Sequence, residues 1–226
     1  MSIDKELFKK NAELVFCIAI YLFLVSSAIL TNDSLIALIS AFCGITYTIL
    51  AGKGLPICYL IGVCGSALYS FLAFHSSLWG NLVLYAGYYI PMQIIGFFQW
   101  NKNLKTNKKE IIKVNLAKKE KIILFSLTSI ITFLTIAVLY YLGDQSPVID
   151  GITTIFSILG MYLTVKRSIE QWVIWIFVNG LSLIMWLKIV MNGVKAYSTV
   201  IMWFVYFVLA IYFYFNWRRE VNDSIT

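Results

Sequence analysis

Apolar residues run almost continuously along this chain, and short polar turns divide the run into eight segments of about 20 residues. A helix of about that length is needed to cross the hydrocarbon core of a bilayer. The pattern therefore predicts an all-α polytopic membrane protein with eight transmembrane helices. The predicted helices cover residues 12–31, 34–51, 55–74, 78–100, 120–142, 146–165, 169–190 and 196–216.

The fourth segment contains polar side chains that are unusual in a helix facing lipid. Its later part reads YAGYYIPMQIIGFFQW, and residues four apart stack above one another on a helix. One face then carries Tyr85, Tyr89, Gln93, Gly96 and Trp100. Pro91 lacks a backbone N–H and crowds the carbonyl of Gly87, so the helix is predicted to kink there. A kinked helix with an amide among aromatic rings is typical of the lining of a polar binding site.

Segments two to four resemble segments six to eight, which indicates an internal duplication. The matched residues lie 115 to 117 positions apart: Gly44 with Gly160, Gly65 with Gly180, Phe98 with Phe215 and Trp100 with Trp217. Because a single helix joins the two groups of three, both groups have the same orientation, as in transporters with parallel repeats. Residues 1–226 are predicted to form one transporter domain. Its parts are an extra helix 12–31, a first repeat 34–100, a basic loop 101–121, a linker helix 120–142 and a second repeat 146–217.

Composition supports the membrane assignment, and charge sets the orientation. The chain is 60% hydrophobic and 13% charged, with a mean hydropathy of +0.82 and a net charge of +7. Sixteen of the 18 lysines and arginines fall on the side of the two termini and of the loop 101–121. Because cytoplasmic loops are enriched in these residues, both termini and the loop are predicted to be cytoplasmic. The loop is interpreted as a solvated topology signal near anionic lipid headgroups, and not as a nucleic-acid site.

The sequence lacks the motifs of several enzyme and pump classes. It has no GxxxxGK[ST] phosphate loop and no HExxH metal motif, and the single histidine, His75, falls in a predicted turn. The carboxylates nearest the membrane lie at segment ends: Asp33, Asp144, Asp150 and Glu170. Without a carboxylate or histidine at mid-membrane, proton-coupled and ATP-driven pumping are disfavoured. We therefore expect no catalytic residue, no metal site and no cofactor.

Tryptophan and asparagine recur on one face of the seventh segment, at Trp172, Trp175, Asn179, Ser182 and Trp186. The tryptophans at segment ends, Trp172 and Trp217, also suit the alternative role of interface anchors. Trp175 and Asn179 suit that role less, because a carboxamide one turn from an indole needs a buried polar partner. With Gln93 and Tyr89 they predict a cage of π-faces and two amides. Such a cage suits an aromatic ring, charged or neutral, joined to a hydroxyl-bearing sugar.

Two stretches resemble signature segments of the PnuC family: YYIPMQIIGFFQWNKN, from Tyr88 to Asn103, and WVIWIFVN, from Trp172 to Asn179. This family comprises bacterial nicotinamide riboside transporters with a fold akin to the SWEET sugar transporters. The resemblance extends over nearly the whole chain in length and segment order. It implies a substrate that stacks on Trp175 and bonds to Asn179, with Gln93 as the matching glutamine.

The resemblance also implies facilitated uptake across the bacterial inner (cytoplasmic) membrane for NAD biosynthesis. A separate cytoplasmic kinase would trap the substrate and need not bind the transporter. The implied partners are thus a small-molecule substrate and the lipid bilayer, without nucleic acid, and a homo-oligomer is left open. We expect Pro91 to act as a hinge and Trp100 and Trp217 to act as gate residues.

Three positions depart from the family's pattern. GFFQW, from Gly96 to Trp100, stands where GWxxW is expected, and Tyr85 stands where an asparagine is common. Asn81 follows Trp79 and Gly80 where many relatives carry an aspartate, and loss of that carboxylate weakens the attraction for a cationic pyridinium. Asn81 and Tyr85 are nevertheless included among the candidate substrate-binding residues.

Several other functions remain as alternatives. A PnuC-like carrier of thiamine, riboflavin or a deoxynucleoside would share these motifs. From other classes, the alternatives are a membrane-embedded enzyme acting on lipids and a non-transporting receptor or partner subunit. The enzyme is disfavoured because the sequence shows no intramembrane acid, histidine cluster or metal motif.

Overall fold

The computed structural model describes residues 15, 18–30, 35–75, 82–106, 109–143, 146–193 and 197–223, except for the side chain of Ser198. These residues form eight α-helices, and their β-structure is limited to isolated bridges in one loop region. The helices are α1 (Ile18–Leu30), α2 (Leu35–Gly52), α3 (Cys58–His75), α4 (Ile90–Asn101), α5 (Lys118–Tyr141), α6 (Pro147–Val165), α7 (Glu170–Met191) and α8 (Tyr197–Asp223). A π-helical segment, Val83–Tyr89, leads directly into α4. The predicted all-helical class is confirmed.

Six of the described helices are long and apolar enough to cross a membrane, namely α2, α3, α5, α6, α7 and α8, while α1 is shorter. The fourth predicted span is divided between the π-helical segment and α4. From Ile122 onward the outer surface of α5 is mostly apolar, and Phe133, for example, is 73% exposed. Its buried residues are Thr128 and Thr132. Apolar side chains outside and small polar side chains inside are the arrangement expected in lipid.

Six helices pack as a closed ring in the order α2, α3, α4, α6, α7 and α8, and α8 returns to α2. α5 packs outside this ring against α6, where a Cβ on Gly151 would lie 2.7 Å from the Ile136 side chain. α1 packs against α2, with the Tyr21 hydroxyl 2.7 Å from the Thr46 hydroxyl and the Tyr21 ring stacked on Phe42. The ring therefore consists of the six helices assigned to the two predicted repeats.

Two turns at one end of the ring have the same geometry. The turn from α2 to α3 and the turn from α6 to α7 share five backbone hydrogen bonds between residues that correspond at an offset of 113. The donors are Lys53, Gly54, Leu55, Cys58 and Tyr59 in the first turn, and Lys166, Arg167, Ser168, Gln171 and Trp172 in the second. Gly54 and Arg167 both have positive φ, 71° and 63°, which is typical of helix C-terminal caps. We call this end, with both turns and the loop 102–117, the lysine-rich end.

The shared turns correct the predicted match between the halves. The helices run without interruption from these turns, so the offset of 113 holds along α2 and α6 and along α3 and α7. Gly65 then corresponds to Val178, and the predicted pair Gly65–Gly180 is wrong, as is the pair Gly44–Gly160. An alignment based on residue identity places glycine opposite glycine. In the structure, however, the glycines at close helix contacts lie at different positions in the two halves.

Residues 109–117 of the loop pack against the two shared turns, which corrects the interpretation of the loop as a solvated topology signal. Ile111 is completely buried in the main apolar cluster of the described residues. Its N–H donates to the Gly54 carbonyl at 3.0 Å, and the Val114 N–H donates to the Arg167 carbonyl at 3.0 Å. One short stretch of the loop therefore bonds to both shared turns and joins the two halves.

α8 continues beyond its predicted end at residue 216 and reaches Asp223. Val221 in this extension is buried in the same apolar cluster as Trp217. Glu220 forms ion pairs with Lys105 and Lys113 of the loop. The polar residues after Trp217 thus mark the end of the apolar span and not the end of the helix.

Candidate functional site

The Trp175 indole is central in the bundle and is held in place by α6. A Cβ on Gly160 would lie 3.0 Å from the indole, so glycine allows the ring to rest on the α6 backbone. The indole N–H donates to the Thr164 hydroxyl at 3.2 Å, and that hydroxyl donates to the Gly160 carbonyl at 2.8 Å. Trp175 also packs against each of three apolar clusters. These contacts fix the orientation of the ring before any ligand binds.

Asn179 lies one turn further along α7 and is 6% exposed. Within the described part of the chain its carboxamide has no hydrogen-bonding partner. The polar atoms of the carboxamide are also not fully enclosed, so another molecule can reach them. Leaving a buried amide unpaired costs about 1–3 kcal/mol. The carboxamide is therefore available to bond a ligand that enters the ring of helices.

Gln93 of α4 is 3% exposed and is paired with Ser66 of α3. The Ser66 hydroxyl lies 3.2 Å from Gln93 Oε1 and 3.1 Å from Gln93 Nε2. At the offset of 113, Ser66 corresponds to Asn179. The structure thus places Gln93 beside the α3 counterpart of Asn179, and α4 does not pack directly against α7, which carries Trp175 and Asn179.

Tyr47 of α2 connects the two sides of the interior and is not among the residues predicted from the sequence. Its ring lies 2.8 Å from the position of a Cβ on Gly62, and its hydroxyl lies 3.9 Å from the Met161 sulfur. Tyr47 and Trp175 both pack on the cluster of Tyr89 and Met161. A phenol in the middle of an apolar segment needs a polar partner, and this signal could have identified Tyr47 from the sequence.

The contact of Tyr47 on Gly62 has a counterpart in the other half. At the offset of 113, Tyr47 corresponds to Gly160 and Gly62 corresponds to Trp175. In the first half the ring is on α2 and the glycine is on α3. In the second half the glycine is on α6 and the ring is on α7. The two halves therefore present different surfaces to the interior at the same depth.

A π-helical segment precedes Pro91, the residue at which the helix is predicted to kink. The Ile90 N–H donates to the Tyr85 carbonyl five residues earlier, and Pro91 follows in the first turn of α4. A missing N–H costs least in the first turn of a helix. Within this segment the Tyr85 ring lies 4.8 Å from the Tyr89 ring and 4.2 Å from Tyr69 of α3. Tyr85 and Tyr89 therefore face the interior together.

The tryptophans at the lysine-rich end are not interface anchors, because they are buried. Trp100 and Trp217 are completely buried, and Trp172 is 2% exposed. The Trp100 N–H donates to the Thr164 carbonyl at 2.9 Å, and the Trp217 N–H donates to the Gly52 carbonyl at 2.6 Å. Each of these two bonds joins the end of α4 or α8 to the end of the next helix in the ring.

Trp172 belongs to this end cluster, against which Trp175 also packs. Its ring lies 5.6 Å from the Trp217 ring and 5.3 Å from the Phe213 ring. The Trp172 N–H is buried and has no partner among the described residues. Trp172 thus lies one turn nearer the lysine-rich end than Trp175, with ring contacts to Trp217 and Phe213.

Two cavities of the described structure lie away from Trp175 and Asn179. One of about 350 Å³ lies at the lysine-rich end, and one of about 210 Å³ lies between α3 and α4 beside Gln93. Trp175 and Asn179 line neither of these two cavities, and tyrosine rings pack beside Trp175. Asn81, another candidate, lies outside the described residues.

The arrangement around Trp175 suits non-covalent recognition. It offers an indole face, an amide that can donate and accept, and several phenols. Among the described residues, no group of three or more histidine, cysteine or acidic side chains could hold a metal ion. These groups match an aromatic ring that is joined to a hydroxyl-bearing sugar.

The chain is similar to membrane transporters over most of its length. The family model described as nicotinamide mononucleotide transporter matches residues 34–219. The nicotinamide riboside transporter PnuC of Neisseria mucosa is 31% identical over 195 residues, which cover 84% of this chain and 74% of that protein. The PnuC of Haemophilus influenzae is 31% identical over 198 residues, covering 86% and 84%. The crystal structure of the vitamin B3 transporter PnuC matches with a TM-score of 0.79 and 28% identity, over 93% of this chain and 92% of that one.

Proposed function

The chain belongs to the nicotinamide mononucleotide transporter family, and on this premise we propose that it carries nicotinamide riboside into the cell by facilitated diffusion. Its relatives at 31% identity are nicotinamide riboside transporters. The observation that carries the proposal is the presence of Trp175 and Asn179 one turn apart in the interior. An oriented indole for the pyridine ring and an unpaired amide for the ribose hydroxyls are the contacts that this substrate needs.

The proposed energetics are passive. In the described spans, the acidic residues Asp150 and Glu170 lie in the first turns of α6 and α7. Proton-coupled carriers usually place such groups at mid-membrane, where they relay protons. We therefore propose that the protein equilibrates its substrate, which a separate kinase then retains for NAD biosynthesis.

The proposed architecture has eight transmembrane helices, with α2–α4 and α6–α8 as two parallel repeats within residues 34–100 and 146–217. α5 links the repeats and α1 is the extra helix. The five shared hydrogen bonds of the two turns support this division, since both turns lie at the same end of the ring. The ring order supports it as well, because exchanging the two groups of three helices leaves the contact order unchanged.

The proposed orientation places the lysine-rich end and both termini in the cytoplasm of the bacterial cell. The asymmetry of sixteen basic residues against two supports this orientation. The ion pairs of the lysine-rich end neutralise only part of that charge, since Arg218 and Arg219 are exposed and no ion pair is seen for them among the described residues. The remaining positive charge faces the anionic headgroups of the inner leaflet.

Uptake of labelled nicotinamide riboside into proteoliposomes that contain only this protein tests the proposed function. We expect uptake to stop when the inside concentration equals the outside concentration, with or without a proton gradient. Unlabelled thiamine, riboflavin and a deoxynucleoside serve as competitors that test the other carrier assignments. Uptake of one of these alone would reject the substrate, and no uptake of any would favour a receptor or an enzyme.

A further inference from the structure

Lys113 is a buried lysine at the lysine-rich end. Its side chain is 3% exposed, and its Nζ lies 4.9 Å from the centre of the Trp217 ring. The ammonium group also pairs with Glu220 of α8. Burial lowers the pKa of Lys113, although the hydrogen bond to Glu220 opposes the shift. An ammonium removed from water needs such compensation, which the tryptophan face and the carboxylate supply here.

This burial is not a general property of lysines at this end. Lys166 makes the same two kinds of contact, with Nζ 5.1 Å from the Tyr162 ring and 2.6 Å from a Glu120 oxygen. Its side chain is nevertheless 39% exposed. Lys113 differs because Ile111 and Val114 on either side of it bond to the two shared turns. The loop backbone therefore holds the Lys113 ammonium inside the end of the ring.

The ring beneath Lys113 is part of an aromatic cluster. The Trp217 ring lies 5.6 Å from the Trp172 ring and 6.4 Å from the Trp100 ring. The Trp172 N–H is an unpaired and fully enclosed donor in this cluster. Several π-faces, a spare donor and the Glu220 carboxylate are the groups that bind a cationic aromatic ring.

A cavity of about 350 Å³ lies beside this cluster, and the Phe213 ring in its lining is 5.3 Å from the Trp172 ring. Its lining includes Glu220, Glu110, Phe213, Lys53 and Arg219. Ligand pockets for small molecules range from about 300 to 1,000 Å³, so a nucleoside fits the available space. The cavity thus gives Glu220 access to a ligand of that size.

We propose that the Trp217 face and the Glu220 carboxylate form a second binding site, for the cationic ring of the substrate, and that the Lys113 ammonium occupies this site in the absence of substrate. The inference rests on the proposed function, because the pyridinium ring has to pass this end when it leaves Trp175. Its ring nitrogen carries the same charge as the lysine and can lie against the same indole face. Lys113 is therefore a tethered competitor that the departing cation replaces.

The test compares two forms of the substrate in right-side-out membrane vesicles that are loaded with graded concentrations. Lys113→Met keeps the side-chain stem and removes the charge, while Glu220 keeps Lys105 as a partner. We expect the internal concentration for half-maximal efflux of nicotinamide riboside to fall about tenfold, since the competitor is gone. The neutral dihydro form should show no change. Lys113→Arg, which retains a cation, should behave like the original protein.

Lys166→Met is the matched control, because it removes a lysine with a ring contact and a glutamate partner at an exposed position. It should leave efflux of both forms unchanged. Equal changes for the charged and the neutral form in Lys113→Met would show that Lys113 only holds the loop in place. No change for either form would also overturn the proposal.

A measurement without transport separates this inference from the proposed function. N-methylnicotinamide, a cationic pyridinium without a sugar, quenches indole fluorescence by stacking. We expect its half-saturating concentration on the purified protein to fall about tenfold in Lys113→Met, and the added quenching to be lost in Lys113→Met with Trp217→Phe. If nicotinamide riboside is not transported and this quenching pattern is seen, the proposed function fails and the cation site stands. If the quenching of Lys113→Met equals that of the original protein, the cation site fails.

Discussion

At the scale of single residues, substitutions of Trp175 and Asn179 should weaken substrate binding in different ways. Trp175→Ala removes the π-face, so nicotinamide riboside binding should weaken by about 1–3 kcal/mol, the range for base–aromatic stacking. Trp175→Phe keeps a smaller ring and should weaken binding less. Calorimetry on the purified variants measures both. Equal losses for the two variants would argue against stacking on Trp175.

The Asn179 carboxamide is expected to bond a sugar hydroxyl. Asn179→Leu is nearly isosteric and leaves that hydroxyl desolvated and unpaired, at a cost of about 1–3 kcal/mol. The loss should be smaller for a deoxy analogue of the substrate, because the missing hydroxyl no longer needs the amide. Calorimetry with both ligands decides the point. If the variant weakens both ligands equally, Asn179 holds helices together and does not bind the sugar.

Gly160 should position the Trp175 indole, although it touches no ligand in this arrangement. In Gly160→Ala the added methyl would lie 3.0 Å from the ring, so the indole has to shift. We expect substrate binding measured by calorimetry to weaken by about 1–3 kcal/mol, the usual cost of overpacking. Gly87→Ala is the matched control, since its methyl would meet only Val83 at 3.9 Å. Binding by Gly160→Ala that matches this control would contradict a positioning role.

At the scale of elements, long apolar segments were sufficient to locate the helices, because crossing a bilayer requires them to be continuous. The predicted span 34–51 is observed as Leu35–Gly52. The π-helical segment, the packed loop and the extension of α8 were not predictable in the same way. Each depends on contacts with other parts of the chain, such as the bonds of Ile111 and Val114 to the two turns.

Pro91 joins the π-helical segment to α4 and should act as a hinge. Pro91→Ala restores the missing N–H, which favours a regular helix and removes a point of bending. We expect the rate of substrate exchange in proteoliposomes to fall by more than the affinity. An unchanged exchange rate with a lowered affinity would mean that the proline shapes the site and does not gate it.

At the scale of the whole molecule, the sequence indicated two similar halves, yet the register came only from the structure. The shared turns differ in sequence, since Gly54 in one corresponds to Arg167 in the other. Backbone geometry is preserved there while side chains are not, so matching by residue identity selects other pairs. For the candidate site, spacing along α7 predicted that Trp172, Trp175 and Asn179 share one face. Spacing could not predict that Trp172 contacts Trp217 and Phe213, because those contacts depend on how α7 packs against α8.

The orientation of the molecule in the membrane can be measured directly. Single cysteines at Asn107 and Asn192, in a background without other cysteines, are predicted to lie on opposite sides. An impermeant thiol reagent added to intact cells should label only the cysteine at position 192, because the basic residues are concentrated on the cytoplasmic side. Labelling at position 107 from outside would reverse the orientation and move the Lys113 site to the exterior.

The exchange of ring and glycine between the halves has a consequence for their ancestry. If both helices carried a ring at this contact, the rings would overlap, and if both carried glycine, a void would remain. Each evolutionary intermediate with only one of the two substitutions would therefore be less stable. If the halves descend from one duplicated unit, paired compensating substitutions separate them at this depth. The halves have thereby ceased to be interchangeable, and two copies of either half could not reproduce the interior. A nucleoside is itself chiral and has unlike ends, so it would bind in this asymmetric interior in one preferred orientation.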